Sequence, residues 1–187
     1  MDFELRRQAF HAMVGLVAIA ILLAFGRDAA MAAVFIVLVG GTLIMNLRLL
    51  GMEIPVVCWL ENNFERRDVH RSMPGWGSAC YAAGALLAIT FLTDASQIAA
   101  TILILALGDS VSTVAGARFG KTKLPYNKKK SLEGTLAFFF ISLASWYFVG
   151  PVAIPLALVA AVAETVPVME DNLIIPIACV AFFLVAI

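Results

Sequence analysis

The chain has 187 residues, of which 62% are hydrophobic and only 14% are charged, and its formal net charge is zero. Soluble domains are on average about 45–50% apolar and about 25% charged, so the composition excludes an ordinary soluble domain. A net charge of zero also gives no electrostatic basis for binding nucleic acid. Several apolar runs approach the roughly 17–25 residues that cross a bilayer. The expected fold class is therefore all-α: a polytopic integral membrane helical bundle that forms one domain over residues 1–187.

About seven apolar segments are candidate membrane spans. They are Ala9–Phe25, Ala29–Met45, Trp76–Leu92, Gln97–Arg118, Thr135–Val149, Val152–Val166 and Asn172–Ile187. At 1.5 Å per residue, a segment of 15–17 residues covers only about 22–25 Å. We therefore expect some of these helices to be short or broken.

The Lys and Arg residues between the spans predict the orientation in the membrane. They gather at the amino terminus and in the loops at residues 46–75 and 119–134, whereas the alternate turns hold only Arg27. Because Lys and Arg accumulate on the cytoplasmic side, we expect the amino terminus, both loops and the 167–171 turn to face the cytoplasm. Most polar residues then lie on one face, so any chemistry is expected there.

Asp109 is the most unusual residue of the fourth span. An aspartate near the middle of a membrane helix costs roughly 2.5–3.5 kcal/mol on insertion scales, and such residues usually have a partner or a function. Thr113, Gly116 and Gly120 follow on the same helical face, where small residues allow a helix or a ligand to approach. The alternative is a packing seam of small residues with a buried Asp–Arg pair.

A basic loop follows this span and ends in three lysines, Lys128–Lys130, directly before Ser131, Glu133 and Gly134. The segment GARFGKT has three residues between its glycines, where a P-loop needs four, and it follows an apolar helix rather than a strand. A P-loop is thus excluded. The lysines can still bind phosphates as point charges; alternatively, they anchor a helix end to anionic lipid.

Three further segments carry polar groups on the same predicted face. Arg7 and His11 lie one helical turn apart, which is also typical of a basic membrane anchor with an interfacial histidine. His70 lies in a charge-rich segment whose simplest interpretation is a solvated loop. Around the 167–171 turn, Glu164 and Asp171 lack a nearby Lys or Arg in sequence, which suits a divalent metal with oxygen ligands, although Asp171 or Asn172 could instead cap the last helix.

Together these residues predict transfer of a phosphoryl or nucleotidyl group to a lipid. In such a site cations neutralise phosphates, carboxylates hold Mg²⁺, and a carboxylate or histidine orients the attacking hydroxyl.

The segment GDSVSTVAGARFGKTKLPYNKKKSLEGTLAFF, at residues 108–139, resembles the signature of the CTP-dependent polyprenol kinases, a family that includes dolichol kinase, phytol kinase and a CTP-using diacylglycerol kinase. Its elements are Gly-Asp in a helix of small residues, a KLPYN loop, and Lys-Ser-x-x-Gly opening the next helix. RRQAFH near the amino terminus and AETVP with EDNLIIP near the carboxyl terminus agree more loosely. Arg7 stands where the family usually has Lys.

The resemblance implies transfer of the γ-phosphate of CTP to a long-chain isoprenoid alcohol (dolichol, phytol or geranylgeraniol) or to diacylglycerol, giving a lipid phosphate and CDP. The implied catalytic residues are Asp109, Glu133 and Lys130. The implied nucleotide-binding residues are Arg6, Arg7, Gly108, Gly116, Lys121, Lys128, Ser131 and Gly134. The implied ligands of Mg²⁺ are Asp109, Glu164 and Asp171, and the further candidates are His11, His70 and Asn172.

Two other functions remain open from the sequence. A CTP-dependent cytidylyltransferase would make a CDP-activated lipid, although the paired aspartates expected near its carboxyl terminus are missing. A small ion or solute transporter would use Asp109 as its coupling acid. For the kinase, the expected partners are CTP, a lipid alcohol and the bilayer, with a homodimer as an open alternative and no nucleic acid.

Overall fold

The computed structural model of the chain describes residues 3–52, 54–64 and 75–186. His70 and the neighbouring arginines of the 65–74 segment lie outside the described residues, so the prediction for them stays a prediction.

The described residues form a helical bundle in which each of the seven predicted spans is helical. Eight helices are labelled here in chain order: α1 Phe3–Phe25, α2 Arg27–Leu49, α3 Pro55–Phe64, α4 Trp76–Phe91, α5 Ala95–Phe119, α6 Leu132–Ser142, α7 Ala153–Thr165 and α8 Asp171–Ala186. A 3₁₀ turn at Leu143–Ser145 and a short helix at Trp146–Val149 extend α6. The prediction of an all-α membrane bundle is confirmed.

The lengths and surfaces of the helices suit a bilayer. Four helical segments of the described chain are long and apolar enough to cross one, namely Phe3–Phe25, Arg27–Leu49, Ala95–Phe119 and Leu132–Thr165. The helices α4 and α8 are apolar but shorter, with 16 residues each. Large apolar side chains such as Ile36 and Phe140, each about two-thirds exposed, would face lipid, where a helix satisfies its own backbone hydrogen bonds.

Helix α3 is the main departure from the expected fold, because it lies in the 46–75 segment that the sequence predicts to be a cytoplasmic loop. The helix reaches Phe64, whose ring stacks on Phe10 of α1 with centroids 4.6 Å apart. The side chain of Asn63 accepts a hydrogen bond of 3.4 Å from Arg6. This part of the segment therefore packs against the start of α1.

The first half of α5 forms the centre of the core. Ile98, Ala99, Ala100, Thr101 and Ile102 are completely buried. Helices α1, α4, α6 and α8 all contact α5 or the turn within it. A helix that is apolar all round belongs in the middle of a bundle, so α5 is surrounded by its neighbours and carries Asp109 into the interior.

Candidate active site

Asp109 directly follows a distortion in the central helix. The five residues Ile104–Gly108 form a π-helical turn inside α5, and the regular α-helix resumes at Asp109. Such turns are rare in proteins and occur frequently at functional sites. Asp109 is only 7% exposed, and no hydrogen bond from the described part of the chain reaches its carboxylate.

Lys130 forms the centre of a charged cluster near Asp109. Its ammonium group lies 2.5 Å from Oε1 of Glu164 at the end of α7 and 2.7 Å from Oδ2 of Asp171 at the start of α8. Asp109 interacts electrostatically with all three of these groups and with Arg7. We call Asp109, Lys130, Glu164 and Asp171 the charged cluster; it joins residues from three helices and the 120–131 loop.

The charged cluster determines the protonation state of Lys130. Burial disfavours the charge on the ammonium group, but the carboxylates of Glu164, Asp171 and Asp109 outweigh this effect and raise the pKa of Lys130. Lys130 therefore carries a positive charge at neutral pH. Two carboxylates, those of Glu164 and Asp171, contact this one ammonium group directly.

Glu164 is the most deeply buried of these carboxylates, with 1% of its side chain exposed. Its Oε1 atom accepts hydrogen bonds from Lys130 and, at 3.1 Å, from the hydroxyl of Ser112. Its Oε2 atom is buried and receives no hydrogen bond from the described residues. A buried carboxylate oxygen without a partner is costly, and such an atom is a candidate ligand for a cation.

The KLPYN segment fixes the loop that carries Lys130. The side-chain amide of Asn127 donates a hydrogen bond of 2.9 Å to the carbonyl of Thr165, and the hydroxyl of Tyr126 donates one of 2.9 Å to the Thr165 hydroxyl. Thr165 is the neighbour of Glu164 in α7. These bonds hold the loop against the end of α7 and so place the ammonium of Lys130 beside Glu164.

Ser131 and three glycines, all predicted to bind nucleotide, have structural roles. Ser131 caps α6 by accepting a hydrogen bond of 3.2 Å from the Gly134 N–H. A Cβ on Gly134 would lie 3.3 Å from the Cα of Gly116 and 3.1 Å from the Ser112 carbonyl oxygen, and one on Gly108 would lie 2.9 Å from Phe138. The glycines thus allow α5 and α6 to pack closely.

Glu133, predicted to be catalytic, holds the other side of the loop. Both of its carboxylate oxygens accept the N–H of Thr122, at 3.0 and 3.2 Å. In turn, the N–H of Leu132 donates to the carbonyl of Thr122 at 2.9 Å. Among the described contacts, Glu133 bonds to the loop backbone rather than to the charged cluster.

The predicted phosphate-binding cations occupy different surroundings. Arg7 pairs with Glu4 at 2.6 Å, and the buried Nε of Arg6 has no hydrogen-bond partner among the described residues. Lys121 and Lys128 are exposed on the loop. Of these four cations, Arg7 interacts electrostatically with Asp109. Lys121 and Lys128 are accessible to solvent or to a ligand.

His11 and Asn172 are in direct contact although 161 residues separate them in sequence. Nε2 of His11 lies 3.3 Å from Oδ1 of Asn172, and the amide of Asn172 donates to the carbonyl of Gly77 at 3.3 Å. In the described part of the chain, the side chain of Asp171 contacts the 120–131 loop and that of Asn172 contacts α1 and α4. The His11 ring also packs edge-on against Tyr81, with centroids 4.1 Å apart.

No three His, Cys, Asp or Glu side chains of the described residues form a ready-made metal site. The ammonium of Lys130 lies between Glu164 and Asp171, two of the three predicted ligands. Mg²⁺ is usually held by one or two carboxylates together with substrate phosphates, rather than by a cage of protein ligands. The buried Oε2 of Glu164 fits that mode of binding.

Sequence reasoning missed Ser112, Tyr126, Asn127, Thr165 and Tyr81 as parts of this site. The first four orient Glu164 or the loop that carries Lys130. Tyr126 and Asn127 belong to the KLPYN segment, and their position in this motif could have identified them as part of the site. Ser112 and Thr165 look like ordinary small helical residues, and only their hydrogen bonds, to Glu164 and to the KLPYN segment respectively, reveal their role.

The comparisons with known proteins give three relatives that cover almost the whole chain. An uncharacterised protein of Methanocaldococcus jannaschii is 31% identical over 177 residues, which are 92% of this chain and 88% of that protein. The chloroplastic farnesol kinase of Arabidopsis thaliana is 28% identical, with 93% of this chain and 62% of the kinase covered. A probable chloroplastic phytol kinase of Glycine max is also 28% identical, with 94% and 61% covered.

The chain thus spans about three-fifths of the length of the two plant kinases. No family model matches the chain, and no solved structure matches it. The relatives named phytol kinase and farnesol kinase agree with the resemblance seen at residues 108–139. These relatives support placing the chain in the polyprenol and phytol kinase family.

Proposed function

We propose that this protein is a lipid-alcohol kinase that transfers the γ-phosphate of CTP to the hydroxyl of an isoprenoid alcohol. The observation that carries the proposal is the charged cluster, in which Lys130 lies between Glu164 and Asp171 beside the buried Asp109. Its position at one end of an apolar bundle suits a reaction between a water-soluble nucleotide and a membrane-embedded alcohol. Farnesol and phytol, the alcohols in the relatives' names, are both isoprenoid.

The cations around the cluster are suited to a triphosphate. Lys130 and Arg7 lie close enough to Asp109 to interact with it, and Lys121 and Lys128 are exposed on the adjoining loop. Stabilising the phosphoryl group as charge develops on it is the main task of such a site. We infer that Lys130 and Arg7 act at the transferred group, and that the exposed lysines contact the remainder of the nucleotide.

The carboxylates divide between two tasks in this proposal. Glu164, through its unpartnered Oε2 atom, and Asp171 would hold a nucleotide-bound Mg²⁺. The metal would neutralise charge on the transferred phosphate. Asp109, whose carboxylate lacks a hydrogen bond from the described residues, is then the group that receives the proton of the lipid hydroxyl.

The proposed reaction proceeds by direct transfer. The oxygen of the lipid hydroxyl forms a bond to the γ-phosphorus while the bond from that phosphorus to the β–γ bridging oxygen breaks. The electron pair of the broken bond leaves with CDP, and the hydroxyl proton passes to the carboxylate of Asp109. Lipid phosphate and CDP are the products. We infer that this end of the bundle faces the cytoplasm, because the basic segments gather there.

Labelled nucleotides test this proposal with the purified protein in lipid nanodiscs. With CTP labelled at the γ-phosphate, radioactivity should appear in the lipid fraction when farnesol, phytol or geranylgeraniol is present. Parallel assays with ATP, GTP and UTP measure the preference for CTP. Label in pyrophosphate instead of lipid would identify a cytidylyltransferase, and absence of transfer with every nucleotide and alcohol would refute the kinase.

Asp109→Asn tests the role of the carboxylate. Loss of a general base typically lowers the rate by about 10²–10⁴-fold, so kcat should fall by that factor while the KM for CTP changes little. Asp94→Asn is the matched control, since Asp94 caps the start of α5 through Ser96 and Gln97 and Asn can do the same. A raised KM for the Mg²⁺–nucleotide complex with unchanged kcat would instead assign Asp109 to the metal.

A further inference from the structure

An open apolar groove of about 160 Å³ lies between α1, α2 and α4. It extends along α1 from Phe10 to Ile21, a distance of about 16 Å for a regular helix, with α2 and α4 as the other walls. Alanines contribute much of the lining, among them Ala18, Ala33 and Ala82. These small side chains leave lateral space that larger apolar residues would fill.

One end of the groove lies near the charged cluster, although no residue of the cluster lines it. His11 and Tyr81 both line it, and the Tyr81 hydroxyl donates a hydrogen bond of 3.2 Å to the carbonyl of His11. His11 contacts Asn172, the neighbour of the cluster residue Asp171. Tyr81 also interacts electrostatically with Asp109. A molecule in the groove would therefore present its polar end to the proposed site of phosphoryl transfer.

The outer side of the groove opens onto the apolar surface of the bundle. Val17 and Val37 line it and are 52% and 60% exposed, whereas Ala30 and Ala82 form a buried floor. In a membrane, this surface would contact lipid chains. A long hydrocarbon chain can thus enter from the bilayer without passing through water.

We propose that this groove binds the isoprene units next to the hydroxyl of the substrate alcohol, while the rest of the chain stays in the bilayer. The inference rests on the kinase function proposed above. An engineered cavity of about 150 Å³ holds a molecule of the size of benzene, so this groove encloses only a short branched section. Selectivity therefore depends on the structure near the hydroxyl and is tolerant of total chain length.

Filling the groove tests the proposal. Ala33→Phe places a ring in the groove from α2, and Ala32→Phe is the matched control, because Ala32 is an exposed neighbour that does not line it. Small steric changes in an apolar pocket alter kcat/KM by about 10–200-fold. We expect a loss of this size for farnesol, geranylgeraniol and phytol in Ala33→Phe, with the KM for CTP unchanged and no loss in the control.

Photolabelling tests binding without any phosphoryl transfer. A farnesol analogue with a diazirine on its second isoprene unit should label peptides of α1 and α2 in the protein and in the Ala32→Phe variant, but not in Ala33→Phe. Ala18→Leu, which fills the groove from α1, should also reduce the labelling. Excess farnesol should displace the label, and excess hexadecanol should not.

The outcomes separate this inference from the proposed function. Groove labelling without phosphate transfer to any alcohol supports the groove and refutes the kinase. Transfer that is unaffected by both Ala33→Phe and Ala18→Leu supports the kinase and overturns the groove. Equal displacement by farnesol and hexadecanol would assign the groove to bilayer lipid, which also overturns the inference.

Discussion

Replacing Lys130 with Met tests whether the charged cluster is held together by a single cation. The substitution keeps the length of the side chain but leaves the carboxylates of Glu164 and Asp171 without the ammonium group that lies 2.5 and 2.7 Å from them. Glu164 is 1% exposed, so water cannot replace the lost contact. Removing one partner of a buried ion pair typically costs about 3–5 kcal/mol, which corresponds to a decrease of about 6–20 °C in Tm for a domain of this size.

Thermal unfolding in one detergent, followed by circular dichroism, measures the effect. Lys129→Met is the matched control, because Lys129 is exposed and surface substitutions usually change stability by less than about 0.5 kcal/mol. In the double variant Lys130→Met/Glu164→Gln, the neutral amide removes the uncompensated charge, so the double variant should be more stable than Lys130→Met alone. Equal Tm values for Lys130→Met and Lys129→Met would refute the reasoning. So would a double variant whose loss of stability equals the sum of the losses of the two single variants.

Two further predictions concern the elements that position the cluster. Asn127→Ala removes the hydrogen bond to the Thr165 carbonyl and should destabilise the loop by about 1–3 kcal/mol. Limited proteolysis should then cleave the loop between α5 and α6 faster than in the unsubstituted protein. An unchanged cleavage rate would contradict this prediction. Gly134→Val should separate α5 from α6, because even a Cβ would lie 3.1 Å from the Ser112 carbonyl oxygen. Its Tm should fall by more than that of Gly134→Ala, and similar values for the two variants would contradict close packing.

The sequence predicts the bundle well because each apolar run is long and bounded by charged or turn residues. It does not predict α3, since Pro55–Phe64 is only ten residues long and directly precedes a charge-rich run. The helix forms a ring contact with Phe10. Packing of α3 against α1 depends on tertiary contacts between residues far apart in the chain. Helix propensity and hydropathy contain no information about such contacts.

The candidate site is only partly predictable, because the sequence identifies unusual residues but not their tertiary contacts. Asp109 is conspicuous because a charge in an apolar helix is rare and costly. The three consecutive lysines at 128–130 are equivalent in sequence, yet Lys130 reaches Glu164 and Asp171 while Lys128 is exposed. The loop conformation makes this distinction, and it depends on the bonds of Asn127 to the end of α7.

The π turn at Ile104–Gly108 also changes how the faces of the central helix must be compared. In an α-helix each residue advances the direction of the side chains by about 100°, and a π turn accommodates one extra residue. Side chains after the turn are therefore rotated by about one residue relative to a continuous α-helical pattern. A helical wheel drawn across all of α5 would misalign its two halves. The extra residue lets one helix bury a largely apolar first half and still direct Asp109 towards the charges contributed by α7 and α8.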